Sequence, residues 1–137
     1  MSFSGQILYV DDDVEGSKMM EMWLSDFRVA TAYCGQHAKE LIQRTRFDLH
    51  IIDYYLSDMT AKELCSYIRS ISPRVPIFIY SAVSRQAERL AVRDAGATRY
   101  FTKPNDLDRL IPEIGRCLGN YRRLSERQGR RAASSIL

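Results

Sequence analysis

The sequence lacks the marks of a secreted, membrane-bound or zinc-binding protein. Its three cysteines, Cys34, Cys65 and Cys117, are widely spaced and form no CxxC pair, which argues against a disulfide framework and a zinc site. No apolar run approaches the roughly 18 residues of a membrane span, and the first residues form no basic and apolar leader. We therefore expect buried, reduced thiols in a cytoplasmic protein that does not contact a membrane.

Glycine-rich phosphate loops are also absent. Neither GxxxxGKS/T nor GxGxxG occurs, so the sequence does not support a nucleotide held on a glycine cradle. What is present is the composition of one ordinary globular domain, with 137 residues, of which 45% are hydrophobic and 27% are charged.

Positive charge is concentrated at the C-terminal end. The chain carries a net charge of +3, and residues 120–137, with five arginines and one glutamate, carry +4, which leaves −1 (3 − 4) for residues 1–119. We predict a domain over residues 1–119 and a basic extension or linker over residues 120–137. Because the extension is too short for a DNA-reading module, we expect no direct DNA-binding domain.

Short apolar segments rich in β-branched and aromatic residues alternate with segments of helical periodicity. The predicted strands are Ile7–Val10, Arg28–Thr31, Leu49–Ile52, Val75–Tyr80 and Thr98–Phe101. Strands that alternate with single helices pair in parallel through right-handed crossovers. The pattern therefore predicts a doubly wound α/β sandwich, in which a five-stranded parallel sheet carries helices on both faces.

Two features of this pattern are interpreted as packing. Met19, Met22 and Trp23 recur at helical spacing in the first helical segment and are predicted to be core residues, not a cofactor site. His50 lies inside the third predicted strand, and we interpret it as a packed residue, not a catalyst.

Polar side chains follow or end four of the five predicted strands. Residues 11–13, all aspartates, follow the first strand, Asp53 follows the third, Ser81 ends the fourth, and Lys103 comes after the fifth. Singly, the aspartates could cap a helix, the serine could form a turn, and the lysine could be an exposed loop residue. Together, at the edge where parallel strands bind ligands, they suit a divalent cation beside an anion. The combination predicts a phosphoryl site.

Five motifs in this order resemble the receiver domain of two-component response regulators, over about residues 5–119. They are Val10-Asp11-Asp12-Asp13, Ile51-Ile52-Asp53, Ile79-Tyr80-Ser81-Ala82, Asp94-Ala95-Gly96-Ala97 and Tyr100-Phe101-Thr102-Lys103-Pro104. The resemblance implies a flavodoxin-like fold and a bacterial-type phosphorelay signalling domain. Such a domain is not an enzyme beyond catalysing its own phosphorylation and dephosphorylation.

The resemblance also implies a phosphoacceptor and a metal site. Asp53 would be the phosphoacceptor. Mg²⁺, for which Mn²⁺ can substitute, would be bound by Asp12, by Asp53, by the backbone carbonyl of Tyr55 and, through water, by Asp11.

The remaining implied roles concern the phosphoryl group and the partners. Ser81 and Lys103 would bind the phosphoryl group, Tyr100 would be the aromatic switch residue, and the Lys103–Pro104 bond would be cis. The implied partners are a histidine kinase or phosphotransfer protein, and a downstream protein or output domain. A homodimer through the face between the fourth and fifth helices is also expected.

The sequence departs from the family pattern after the phosphoacceptor. Ser57 and Ala61 stand where a proline and a glycine are usual, which puts the stiffness of this loop in doubt. Tyr55 and Val83, two residues after Asp53 and Ser81, are poorly suited to orient a hydrolytic water. We therefore predict a long-lived phosphoryl group.

Two other functions are open at this point. A haloacid-dehalogenase-like phosphatase would use Asp11 as nucleophile in an Asp11-x-Asp13 spacing, but it would leave Asp53 unexplained. A pseudo-receiver would bind its partner without phosphorylation, although the retained site residues argue against it.

Overall fold

The computed structural model describes residues 5–119, in which strands and helices alternate along the chain. The elements are β1 (Gln6–Val10), α1 (Val14–Trp23), β2 (Arg28–Ala32), α2 (Gly35–Arg44), β3 (Leu49–Ile52), α3 (Ala61–Ile71), β4 (Ile77–Ser81), α4 (Gln86–Asp94), β5 (Arg99–Thr102) and α5, residues 107–119. The predicted basic extension lies outside the described residues. Among residues 5–119, no helix combines the length and apolarity needed to cross a bilayer.

All five strands belong to one parallel sheet with the order β2-β1-β3-β4-β5. The predicted doubly wound α/β fold is confirmed, and each predicted strand is present. The largest difference is at β4, which begins at Ile77 and not at Val75. Pro76 lies between them and has no amide hydrogen to donate to the sheet.

Helices cover both faces of the sheet, because successive strand residues point to opposite sides. On one face, Leu8, Val10, Ile52, Ile77 and Ile79 share a core with residues of α2, α3 and α4. On the other face, Ile7, Tyr9, Ile51, Phe78 and Phe101 share a core with residues of α1 and α5. Burial on both faces explains why the strands have continuous apolar sequences and not alternating ones.

The predicted core stripe on α1 is wrong. Met20 and, just after the helix, Leu24 are buried, whereas Met19, Met22 and Trp23 are 50%, 75% and 44% exposed. Helical spacing identifies residues that share a face, but α1 has apolar residues on more than one face. Only packing against the sheet decides that the face with Met20 turns inward.

The expectation of buried thiols holds fully only for Cys65. The three cysteines are free, and Cys34 and Cys117 are half-buried. Burial raises the pKa of Cys65 to about 12 and that of Cys117 to about 11. Cys34 caps α2, since its sulfur accepts a hydrogen bond from the amide of His37 at 3.4 Å.

The interpretation of His50 as a packed strand residue is confirmed. The side chain is 3% exposed, and its ring contacts the Phe47 ring edge to face at 5.8 Å between centroids. Its Nδ1 atom has no hydrogen-bond partner among the described residues. Burial, aided by the positive charge of Arg69, lowers the pKa of His50 to about 4.

This shifted pKa predicts a loss of stability in mild acid. Unfolded His50 takes up a proton near pH 6.5, while the folded residue stays neutral down to about pH 4. The stability that the neutral, buried imidazole contributes is therefore fully present above pH 6.5. As pH falls from 6.5 to about 4, the free energy of unfolding should drop by up to roughly 3 kcal/mol. Urea unfolding of the wild type and His50→Phe across this range measures the effect. Parallel pH profiles for the two proteins would contradict it.

Candidate functional site

The carboxyl ends of β1 and β3 lie side by side at the centre of the sheet, where the strand order reverses. Backbone hydrogen bonds continue past the strand ends, since the amide of Asp53 donates to Val10 at 2.9 Å and that of Asp11 to Ala32 at 3.0 Å. A crevice at such a reversal is the usual ligand site of doubly wound sheets. The aspartates that follow β1 and β3 are thus held in one place by the sheet itself.

Asp11 is the buried member of the acidic cluster, at 1% exposure. Its Oδ1 accepts a hydrogen bond from the amide of Asp13 at 3.0 Å, and its Oδ2 accepts from the Tyr9 hydroxyl at 3.1 Å. The same Oδ2 is 2.5 Å from Nζ of Lys103. Both oxygens of Asp11 are therefore engaged, as a buried carboxylate requires.

Asp53 is more accessible, with 18% of its side chain exposed. Its Oδ1 accepts from the amide of Tyr54 at 2.9 Å, and its Oδ2 lies 3.7 Å from Nζ of Lys103. Burial raises the pKa of Asp53, assisted by the charge of Asp11, while Lys103 and the Ser81 hydroxyl oppose the rise. Asp53 is thus partly exposed, and its Oδ2 lies farther from Lys103 than Oδ2 of Asp11 does.

The acidic cluster has the chemistry of a divalent cation site. Carboxylate oxygens of Asp11, Asp12 and Asp53 all lie within 4.8 Å of one another, and Asp12 is exposed to solvent. A few carboxylates open to water match the preference of Mg²⁺, which retains several of its waters. Asp13 instead caps α1, since its side chain accepts a hydrogen bond from the amide of Gly16 at 3.2 Å.

Lys103 joins the fifth strand to this cluster. Burial alone would lower the pKa of the ammonium, but its hydrogen bond to Asp11 and the charge of Asp53 raise the pKa overall. The side chain also lies over the Tyr80 ring, with Nζ 5.3 Å from the centroid. The Lys103–Pro104 bond is cis. Lys103 is therefore charged and directed at both aspartates.

Ser81 and Tyr100 both form hydrogen bonds with the backbone of Val83, in the loop that follows β4. The Ser81 hydroxyl oxygen accepts a hydrogen bond from the amide of Val83 at 3.3 Å, and the Tyr100 hydroxyl donates to the carbonyl of Val83. Arg89 lies over the Tyr100 ring at 4.5 Å. Burial raises the pKa of Tyr100 to about 12, so its hydroxyl keeps its proton and remains a donor.

The loop between β3 and α3, which carries Tyr55 and Ser57, is held by hydrogen bonds to another part of the chain. Asp58 accepts hydrogen bonds from the amides of Gly35 at 2.7 Å and Gln36 at 2.8 Å, at the start of α2. Although burial acts in the opposite sense, these bonds lower the pKa of Asp58. The backbone of Tyr55 also pairs with Thr60 across the loop. Tertiary hydrogen bonds thus restrain a loop that lacks the usual proline and glycine.

Sequence reasoning missed three residues that shape the site. Tyr9 could have been found from strand alternation, because it lies two residues before Asp11, which directly follows β1. Asp58 and Glu88 carry no such signal. Glu88 is 8% exposed, and its Oε1 accepts from the Tyr55 hydroxyl at 3.4 Å, which links the loop after β3 to α4.

Comparisons with known proteins agree with this geometry. The sequence model of the family described as the response regulator receiver domain matches residues 7–115. The chain is 32% identical to the transcriptional regulatory protein ZraR of Salmonella typhimurium over 85% of its own length and 27% of the relative. It is 33% identical to the response regulator MprA of Mycobacterium leprae over 80% of its own length and 49% of the relative.

The chain thus spans half or less of these curated relatives, and one of them is named a transcriptional regulator. They give no support to the expectation that a DNA-binding domain is absent. Among solved structures, the non-phosphorylated receiver domain of HemR from Leptospira biflexa superposes with a TM-score of 0.77 at 26% identity, over 84% of this chain and 94% of that one. The chain belongs to the receiver domain family of response regulators.

Proposed function

We propose that this domain accepts a phosphoryl group on Asp53, with Mg²⁺ bound by the acidic cluster, and passes that state to a downstream protein or output domain. The donor would be a histidine kinase or a phosphotransfer protein. The observation that carries the proposal is that Asp53 is partly exposed, lies 3.7 Å from Lys103 and shares the acidic cluster with Asp11 and Asp12. Family membership supports the same conclusion.

The contacts of Asp11 argue against a phosphatase that uses this residue as nucleophile. Both of its oxygens accept hydrogen bonds or an ion pair, and the residue is buried. A nucleophilic oxygen must have a lone pair free to approach phosphorus in line. Asp53 meets that requirement better, because it is more exposed than Asp11 and its Oδ2 lies 3.7 Å from Lys103, against 2.5 Å for Oδ2 of Asp11.

The residues of the chain supply positioning and charge. In the proposed step, an oxygen of Asp53 forms a bond to phosphorus as the bond from phosphorus to the donor breaks. Lys103 neutralises charge on the transferred oxygens, and Asp11 holds the lysine in position. Mg²⁺, bound by Asp12, Asp53 and the Tyr55 carbonyl, with Asp11 acting through water, would supply further neutralisation.

The contacts of Ser81 and Tyr100 support a route from Asp53 to the partner surface. A phosphoryl group on Asp53 adds about two negative charges and three acceptor oxygens, which attract the Ser81 hydroxyl. Val83 accepts from Tyr100 and donates to Ser81, so movement of Ser81 would shift the loop to which Tyr100 is bonded. Partners would read the changed surface of α4, β5 and α5, which is also our proposed homodimer face.

Phosphoryl transfer from a small donor tests the proposal. The intact mass of the protein is measured after incubation with acetyl phosphate or phosphoramidate, once with Mg²⁺ and once with a chelator. We expect a single adduct that requires Mg²⁺. Absence of an adduct under every condition would favour a pseudo-receiver, and phosphate release from many phosphoesters would favour a phosphatase.

Slow loss of the phosphoryl group is a separate prediction. Tyr55 is 48% exposed and its hydroxyl donates toward Glu88, and Val83 has no polar side-chain atom, so both are poorly suited to orient a water toward Asp53. We expect a half-life of minutes or longer in Mg²⁺ buffer, and a shorter half-life for Tyr55→Asn, whose amide can orient water. A mass time course measures both. A wild-type half-life of seconds would contradict the prediction.

A further inference from the structure

A groove of about 770 Å³ opens at the edge of the sheet opposite Asp53. Its sides are the C-terminal ends of α2 and α3, and the segments that lead into β3 and β4 close it. His50 lines the groove and stands three residues before Asp53, so roughly 10 Å of strand separates the groove from the acidic cluster. Its volume is typical of sites for small organic ligands.

The groove is strongly basic. Arg44, Arg46 and Arg74 line it and are exposed, and no carboxylate is among the lining residues that the structure describes. The ends of α2 and α3 contribute only about half a negative charge each, so the net charge stays positive. A fourth arginine, Arg69, donates to the carbonyls of Ser72 at 3.1 Å and Val75 at 2.6 Å, so these two carbonyls are already paired.

The floor of the groove is apolar apart from one unpaired group. Phe47 and Val75 are buried beneath it, and Ile71 stands 54% exposed at its side. His50 also lies there, with its Nδ1 unpaired among residues 5–119.

We propose that this groove binds an organic phosphate with a flat ring, the chemistry of a nucleotide. The planar guanidinium groups of Arg44 and Arg74 contact phosphate oxygens, as arginine does in paired hydrogen bonds. The ring packs against Ile71 and Phe47 on the apolar floor. Such a ligand matches the basic rim and the apolar floor together.

Isothermal titration with ATP as the probe tests this proposal. The buffer contains a chelator and no divalent metal, so that the nucleotide cannot bridge to Asp53 through a cation. We expect saturable binding at one site, and a loss of affinity of about tenfold or more in the Arg44→Gln/Arg74→Gln double variant, the size of one charge-assisted hydrogen bond. Arg93→Gln, an exposed arginine on α4 outside the groove, is the matched control and should retain wild-type affinity.

Inorganic triphosphate separates the contribution of the ring from that of the phosphates. It should bind more weakly than ATP, because it has no ring to pack against Ile71 and Phe47. Three results would overturn the proposal: no saturable ATP binding at millimolar concentration, equal affinity for ATP and triphosphate, or equal losses in Arg93→Gln and the double variant. None of these results bears on phosphorylation of Asp53, which is assayed separately.

Discussion

Replacing Asp53 by asparagine is expected to abolish the Mg²⁺-dependent phosphoryl adduct while leaving the fold intact. The amide has nearly the shape of the carboxylate and can still accept the hydrogen bond from Tyr54, seen at 2.9 Å. It has no anionic oxygen to attack phosphorus, so no acyl phosphate forms. Because removal of one acid also relieves repulsion with Asp11, the variant should be at least as stable as the wild type. Intact-mass measurement and thermal unfolding test the two effects.

Asp13→Asn is the matched control for this experiment. Asp13 lies in the same acidic run but caps α1, and asparagine caps helices as well as aspartate does. We expect it to be phosphorylated normally. An adduct that persists in Asp53→Asn and disappears in Asp13→Asn would show that the acceptor was assigned to the wrong carboxylate.

Replacing Lys103 by methionine should slow phosphoryl transfer by about 100- to 1000-fold, the usual cost of removing one group that stabilises charge in a transition state. The ammonium is 2.5 Å from Asp11 and 3.7 Å from Asp53, so it is the cation closest to the proposed acceptor among the described residues. Methionine keeps the length and apolar stem of the side chain but cannot neutralise transferred oxygens. A mass time course with acetyl phosphate measures the rate.

The same substitution should alter the response to magnesium. Without Lys103, the buried carboxylate of Asp11 loses its ion pair, which destabilises the fold in chelator. Added Mg²⁺ can supply the missing positive charge, so it should raise the melting temperature of Lys103→Met more than that of the wild type. Lys62→Met, at an exposed position of α3, is the control. Equal Mg²⁺ responses in all three proteins would show that no cation binds beside Lys103.

The amino-acid sequence by itself determined the class of fold and predicted which strand-end side chains meet at the candidate site. Five apolar strand segments separated by helical periodicity specify parallel pairing, since each crossover returns the chain to the same edge of the sheet. That rule is why aspartates after β1 and β3, Ser81 at the end of β4, and Lys103 after β5 could be grouped before any distance was known.

Only the tertiary structure decided how close those residues lie and which of their atoms are already engaged. Periodicity describes neighbours along the chain, whereas the order of strands in the sheet brings β1 beside β3 and so Asp11 beside Asp53. The bonds of each oxygen then distinguish a buried, fully engaged Asp11 from an accessible Asp53.

Because periodicity describes only neighbours along the chain, it gave the wrong buried face for α1 and did not reveal the contacts of Asp58 or the basic groove. Met19 and Met20 are both apolar and adjacent, and only contact with the sheet buries one and exposes the other. Asp58 reaches α2 across 23 residues, and the arginine groove gathers the ends of two helices, so neither has a local pattern. Local spacing encodes which element forms, and packing between distant elements determines which surfaces and atoms are available for function.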